Sequence, residues 1–363
     1  MVATRVDARD TVGELLPDEF VARLRCPISG APLRLVRAGQ ADSVFADRID
    51  AALTTPDGNI VYPIRAGILC LLPDTAIVRD GRALPDDGRA EDIKHEVQQF
   101  YDEVGWKKEA HVFSDAAIFE DLREVARQYH HDCHMRVVKY LPPSGDYLLD
   151  VASGPVQYDE YLKYSEHFRY RVCVDISFLA LVEARRRLGA KGIYVLGDVT
   201  NLPFDDGSLD GVVSLHTIYH VPASQQEKAF NEVYRVLAPG GGAVVVYSWG
   251  RHSILMLATV LPIWAWRYLM RRFRRLRSGS KKDLYAHQHG YRWFANRKWP
   301  FSHKLYSWRS VGVDFTKLYI HDWLFGRQIL RAVFRLEDRW PQLFGAIGQY
   351  PMIVIEKAAK LGH

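Results

Sequence analysis

Between residues 147 and 213 the chain alternates buried-type apolar runs with polar breaks, and each run closes on a carboxylate or a glycine: YLLDVASGP at 147–155, RVCVDIS at 171–177 and GDVTNLPFDDGSLDGVV at 197–213. Short apolar runs bounded by turn residues read as central strands, and the pattern predicts strands at 147–151, 170–175, 192–197, 211–215 and 243–247. Between them, helical spacing predicts helices at 158–166, at 178–188 ending on Gly189, and at 225–237 closed by the PGGG turn. Alternating strands and helices of this length specify an α/β fold, a doubly wound and mostly parallel Rossmann-like sheet.

Outside that core the pattern changes character. Residues 1–78 carry two short apolar segments, CPISGAPLRLV and IVYPIRAGILCLLPD, and read as a small β-rich domain; polar, turn-rich residues 79–93 read as a linker. From 94 to 140 the spacing is helical, with Leu122, Val125, Tyr129, Cys133 and Val137 on one stripe leading into the sheet. Residues 94–250 thus form a helical lead-in and core, 251–349 a basic, aromatic-rich cap with a helix at 323–336, and 350–363 a final strand and tail.

Composition narrows the picture. Of 363 residues 48% are hydrophobic, enough for one large core and a smaller one. The four cysteines, Cys26, Cys70, Cys133 and Cys173, are far apart and form no C-x-x-C pair, which indicates reduced thiols and neither a disulfide framework nor a metal site. The first thirty residues lack a signal-peptide pattern, so a cytoplasmic location is expected.

The net charge of +5 hides an asymmetry, because residues 251–300 hold twelve Lys or Arg against the single acid Asp283. Just before the arginine cluster, 254–266 reads ILMLATVLPIWAW, thirteen uncharged residues interrupted by Pro262 and too short to span a bilayer. Three readings stand: a helical cap with a solvated arginine face, a helix lying on the inner face of an anionic membrane, and, least favoured, a nucleic-acid surface.

Strand ends carry the candidate chemistry. Gly154 lets the backbone approach a ligand, Asp175 ends the second strand where a carboxylate accepts both hydroxyls of a ribose, and Asp198 ends the third, placed for an exocyclic amine. The alternative is that both aspartates only cap the helices that follow. Absence of G-x-G-x-x-G argues against a nicotinamide dinucleotide.

With these residues in view, 145–250 resembles the class I S-adenosylmethionine-dependent methyltransferases, in the broad group marked by an LDVGCGPG loop and an LPF-x-DGSFD segment. The loop stands here as Leu149-Asp150-Val151-Ala152-Ser153-Gly154-Pro155-Val156 and the later segment as Leu202 to Asp210. The resemblance implies S-adenosyl-L-methionine as cofactor, with Asp150 and Gly154 on its methionine part, Asp175 on the ribose, Asp198 and Val199 on the adenine, and Ala152, Ser153, Ile176 and Leu215 completing the set. The stretch from His216 to Val221 matches the segment facing cofactor and substrate, so His216, His220 and Tyr219 are candidate catalytic groups, one histidine acting as general base. Against that, His216 packs against the cofactor and His220 caps the next helix. Two usual glycines are Ala152 and Val156, and the branched Val156 is expected to crowd the cofactor or shift the loop.

The N-terminal unit resembles the small activator subunits that partner tRNA and protein methyltransferases, through Cys26-Pro27, Gly30, Pro32 and Leu33, and through Tyr62-Pro63-Ile64-Arg65, Gly67-Ile68 and Leu71-Leu72. Ser29 stands where a second metal-binding cysteine would fall, so a metal-free structural role is expected. Eight of nine tryptophans follow residue 248, and aromatic faces suit stacking on sugars or apolar rings. The expected acceptor is a small molecule, a hydroxyl of a glycan, glycolipid or lipid-linked metabolite. RNA or protein methylation and a catalytically degenerate scaffold are the alternatives.

Overall fold

The computed structural model describes residues 16–37, 51–79, 88–106, 108–109, 112–275 and 284–359. Along the chain run α1 (Asp18–Val21), β1 (Arg34–Arg37), β2 (Ala51–Thr54), β3 (Ile60–Arg65), β4 (Ile68–Cys70), β5 (Ile77–Val78), α2 (Arg89–Phe100), β6 (Lys108–Glu109), β7 (Val112–Phe113), α3 (Ser114–Phe119) and α4 (Glu124–Arg136). The core follows with β8 (Gly145–Val151), α5 (Asp159–Tyr164), β9 (Phe168–Asp175), α6 (Phe178–Leu188), β10 (Gly192–Leu196), β11 (Leu209–Leu215), α7 (Gln226–Val236) and β12 (Leu237–Val246). Last come α8 (Ile254–Arg275), α9 (Tyr291–Ala295), β13 (Ser302–Arg309), α10 (Val313–Tyr319), α11 (Gly326–Arg339), α12 (Pro341–Ile347) and β14 (Tyr350–Glu356).

Among the described residues, twelve strands form one sheet in the order β1-β2-β3-β4-β10-β9-β8-β11-β12-β14-β13, with β5 beside β3. From β4 to β12 every pairing is parallel, and β14 and β13 close the far edge antiparallel. Chain order reverses beside β8, and crevices at such a reversal are where open α/β sheets bind ligands. The central strands are buried on both faces, with Leu148, Leu149, Val172, Val212, Val213, Val244 and Val245 fully enclosed, as helices on both sides require. Ser177 caps α6 by accepting the Ala180 N–H at 3.1 Å, and Gly189 ends it at φ +56°.

The N-terminal strands do not stand apart. β4 pairs in parallel with β10, Tyr194 opposite Ile68, so the small meander extends the central sheet. A second seam forms where the Arg25 N–H donates to the Pro203 carbonyl (3.0 Å), Asn201 Nδ2 to the Pro27 carbonyl (2.9 Å), and Arg25 pairs with Asp205. The LPFDDGSLD segment is thus a structural clamp: Arg235 donates to the carbonyls of Leu202 and Phe204, and the Leu202 N–H to Glu232. Cys26 is buried, its Sγ 3.4 Å from the Tyr62 hydroxyl.

Several expectations shift. The 94–140 stripe breaks: α2 runs into a π-helical turn at Tyr101–Gly105, a short hairpin and α3 follow, and α4 begins only at Glu124. Leu122 therefore lies outside the helix and is exposed, whereas Val125, Tyr129, Cys133 and Val137 are buried as the spacing requires. β13 has no counterpart in the sequence reading. Residues 1–15 of the N-terminal unit, 80–87 of the linker, and Arg277, Lys281, Lys282 and Asp283 of the basic run lie outside the described residues.

Candidate active site

A cleft opens at the C-terminal ends of β8, β9 and β10, with a cavity volume of about 50 Å³. Ala152, Asp175, Ile176, Asp198, Val199 and His220 line it, and five of these were anticipated as cofactor residues. Its walls are mostly apolar, from Val97, Val174, Val199 and Val221, with a few polar groups at the ends. Asp150, Ser153, Gly154 and Leu215 are not among the lining residues.

Asp175 organises the floor. Its carboxylate accepts the Gly154 N–H at 2.9 Å and the Ser177 N–H at 2.8 Å, tying the loop after β8 to the start of α6. Burial, helped by the neighbouring Asp102 and Asp150, raises its pKa to about 6 despite those two N–H groups. Asp150 faces another way: it forms a buried ion pair with Arg171, whose Nε lies 3.0 Å from Oδ2. Asp198 accepts Lys94 Nζ at 2.7 Å and both the N–H and hydroxyl of Thr200. Burial disfavours the Lys94 charge, but Asp198 and Glu91 outweigh it and raise the pKa.

The loop keeps a glycine-type backbone without the glycines. Ala152 (φ +51°), Gly154 (φ +55°) and Val156 (φ +53°) are all left-handed, as is His216 (φ +60°). Such positions cost non-glycine residues on the order of 1–3 kcal/mol each and cluster at functional sites. Val156 does not crowd the cleft; its side chain is fully buried among Tyr161, Leu181 and other core groups.

A strap from α2 and the π turn covers this floor, and the sequence reading missed it. Beyond Lys94, Gln98 Nε2 donates to the Ile176 carbonyl at 2.8 Å, and the Ser177 hydroxyl bonds Asp102. Tyr101 and Trp106 stack at 4.9 Å, Tyr101 meets His220 edge-on at 6.2 Å, and a Cβ on Gly154 would lie 2.9 Å from the Trp106 ring. Only the π turn hints at this role, since such irregular turns favour functional sites.

The candidate catalytic groups separate by position. His220 reaches the cleft; its Nδ1 is 2.7 Å from the Tyr285 carbonyl, which can only accept, so Nδ1 carries the proton and Nε2 the lone pair. It does not cap the following helix. Burial lowers its pKa to about 4, partly opposed by that carbonyl, and burial with Arg309 and His220 nearby lowers His216 to about 3. His216 packs between Trp308 (4.6 Å) and Tyr350 (5.2 Å), and Tyr219 bridges towards it at 6.5 Å. Among the described residues no group of three or more His, Cys, Asp or Glu is arranged to hold a metal ion.

Of the late tryptophans, Trp249 is fully buried and bonds the Gly345 carbonyl, Trp299 bonds Phe294, and Trp293 stacks on His289 at 4.0 Å. These rings are core packing. Trp308 is the one that approaches the candidate catalytic residues.

Residues 149–245 match the methyltransferase domain family. The sterol 24-C-methyltransferase erg6 of Schizosaccharomyces pombe is 28% identical over 181 residues, covering 44% of this chain and 43% of the relative. A ubiquinone/menaquinone biosynthesis C-methyltransferase, UbiE, of a Ruegeria species is 36% identical over 111 residues, 29% of this chain and 43% of the relative. A solved phosphoethanolamine N-methyltransferase 1 of Haemonchus contortus is 12% identical and covers 76% of this chain and 50% of its own, with a TM-score of 0.45. The chain spans less than half the length of these two curated relatives.

Proposed function

Starting from residues 149–245 as a methyltransferase domain, we propose that the protein transfers the methyl group of S-adenosylmethionine to a small, lipid-like acceptor bearing an acidic hydroxyl or a carbon activated by one. The observation that carries the cofactor half is Asp175 at the end of β9, lining an apolar cleft together with Asp198 and Val199. Its carboxylate is the acceptor for the ribose hydroxyls, Val199 and Val221 flank the adenine, and Ala152 borders the methionine part. When bound, the cofactor supplies an electrophilic methyl carbon; the chain's task is to align the acceptor with it and exclude water. The strap carrying Tyr101 and Trp106 provides the exclusion.

His220, with its Nε2 lone pair free, is the base in this reading. Burial disfavours protonation of His220, and a weak base works best on an acidic acceptor, which favours a phenol or enol over a sugar hydroxyl. Similarity to sterol and quinone C-methyltransferases favours an apolar, lipid-like acceptor. Radiolabelled methyl transfer into a panel of hydroquinones, phenols and sugar glycosides tests it: label is expected in the first two, and label only in glycosides would sink the proposal.

Asp175 gives the binding a pH signature. Donation from ribose hydroxyls favours the ionised carboxylate, whereas the free folded protein holds its proton up to about pH 6. Binding therefore releases a proton below that point and weakens as pH falls. Affinity for S-adenosylhomocysteine is expected to drop about tenfold from pH 7 to pH 5, and calorimetry in two buffers of different ionisation heat reads it. A flat profile would contradict this assignment.

An apolar acceptor needs a way in from lipid. Ile254, Leu257, Leu261 and Tyr268 form one exposed stripe of α8, opposite the buried Met256 and Val260. Beside it, where the Tyr319 hydroxyl donates to the Thr259 carbonyl, Trp323, Leu324 and Phe325 stand exposed, and Arg271, Arg272, Arg274 and Arg275 belong to the last turns of α8. No helix of the described residues is long and apolar enough to cross a membrane. Such a surface suits the interface of an anionic bilayer. Vesicles with phosphatidylserine should co-sediment the protein, and Trp323→Ser with Phe325→Ser should weaken this about tenfold or more; equal binding by the double variant would count against the surface.

A further inference from the structure

Beyond the cleft, along the rings His220, Tyr219 and His216, lies a buried polar cluster to which no role has yet been given. At its centre is Arg309, the last residue of β13, only 3% exposed. Its guanidinium carbon sits 4.8 Å over the Trp308 ring and 4.9 Å over the Tyr350 ring. Adjacent residues of a regular strand point to opposite faces; here the ladder with β14 shifts register between Ser307 and Arg309, and the two side chains meet. Bulges that re-aim a side chain recur beside active sites.

Among the described residues Arg309 makes no close ion pair, although the Tyr350 hydroxyl is a hydrogen-bond partner and Glu120 acts on it electrostatically. Its Nε has no hydrogen-bond partner, and no carboxylate among the described residues lies within 4 Å of its guanidinium. Other buried arginines of this chain are paired, Arg136 with Glu337 and Arg171 with Asp150. Trp308 Nε1 and His134 Nε2 beside it are likewise without partners, and His134 stacks on Trp308 at 5.4 Å. The acid that acts on Arg309 most, Glu120, faces His130 at 3.5 Å. A buried guanidinium with no carboxylate in direct contact is costly, and the unbonded Trp308 Nε1–H beside it calls for an acceptor.

We propose that Arg309 anchors an oxyanion of the methyl acceptor, a carboxylate, phosphate monoester or phenolate, held above Trp308 and Tyr350 beside His216. Trp308 Nε1–H is the second donor, and the anchored group fixes which acceptor atom meets the methyl carbon. The inference rests on the methyltransferase reading, and it names what that reading leaves open, the charged feature by which an otherwise apolar acceptor is recognised.

The test uses the full chain and small aromatic probes of one size: benzoate, phenyl phosphate and 4-nitrophenolate as the anions, benzamide as the neutral control. S-adenosylhomocysteine is titrated first, then each probe into the loaded protein. At least one anion is expected to bind tenfold or more tightly than benzamide, and the best one identifies the group. Arg309→Gln should retain the first isotherm and lose the preference; Arg309→Lys should keep part of it. Loaded wild-type protein that binds benzamide as well as every anion overturns the anchor and leaves the methyltransferase reading intact. So does a preference that survives Arg309→Gln. Absence of S-adenosylhomocysteine binding to folded wild-type protein overturns the reading itself. Should Arg309→Gln fail to fold, the wild-type comparison and Arg309→Lys still decide.

Discussion

Asp175→Ala is expected to weaken S-adenosylhomocysteine binding about 100-fold, the loss of two hydrogen bonds to a charged acceptor. Two consequences combine in that change. The ribose hydroxyls lose their acceptor, and the N–H groups of Gly154 and Ser177 lose the carboxylate that fixes the loop after β8 to the start of α6. Asp175→Asn separates them, because the amide oxygen can still accept from a backbone N–H but no longer carries charge. It should bind better than the alanine variant, and its affinity should be flat between pH 5 and pH 7. Isothermal titration of the three proteins checks both statements, and an alanine variant within threefold of wild type would remove Asp175 from the site.

The largest expected effect on stability lies elsewhere, at Glu337 of α11. This fully buried carboxylate accepts Arg136 Nη1 at 3.1 Å, the Tyr129 hydroxyl at 2.6 Å, and both the N–H (2.8 Å) and hydroxyl (2.6 Å) of Ser310. It thereby joins α4, α11 and the end of β13 in one network. Glu337→Ala leaves four buried donors short, one of them charged, and is expected to cost about 3–5 kcal/mol. For a chain of this size that corresponds to a melting point lower by roughly 4–7 °C. Glu337→Gln keeps one oxygen and should lie between. Because Ser310 follows Arg309, the same change loosens the strand end that presents the guanidinium. Thermal unfolding followed by circular dichroism measures the loss, and a shift under about 2 °C would show that the network is not holding these elements.

What the sequence made legible follows from what is encoded locally. The central strands announce themselves as apolar runs ending in a carboxylate, and Asp175, Asp198 and Val199 fall on one cleft because the ends of parallel strands open on the same edge of the sheet. The N-terminal attachment was hidden: β4 is three residues long, and nothing in Ile68-Leu69-Cys70 says that it pairs with β10 rather than closing its own small sheet. Lys94, Tyr101 and Trp106 escaped for a similar reason, since their partners Asp198, His220 and Gly154 lie 48 or more residues further along the chain. Asp150 shows the reverse case. The resemblance assigned it to the cofactor, but an arginine on the neighbouring strand, Arg171, takes its carboxylate, and no pattern around Asp150 reveals that. Ala152 and Val156 look like lost glycines in the sequence, yet the loop keeps the left-handed turns, with the valine side chain directed into the core. Arg309 is one basic residue in a mixed strand, and its meaning depends on the register shift and on which partners are missing.

The central claim is that this chain binds S-adenosylmethionine at the ends of β8, β9 and β10. Calorimetric titration of S-adenosylhomocysteine into the folded wild-type protein near neutral pH tests it most directly. The account predicts a saturable isotherm with one site per chain. Flat heats at millimolar ligand, from protein whose circular dichroism and melting transition establish that it is folded, would contradict it.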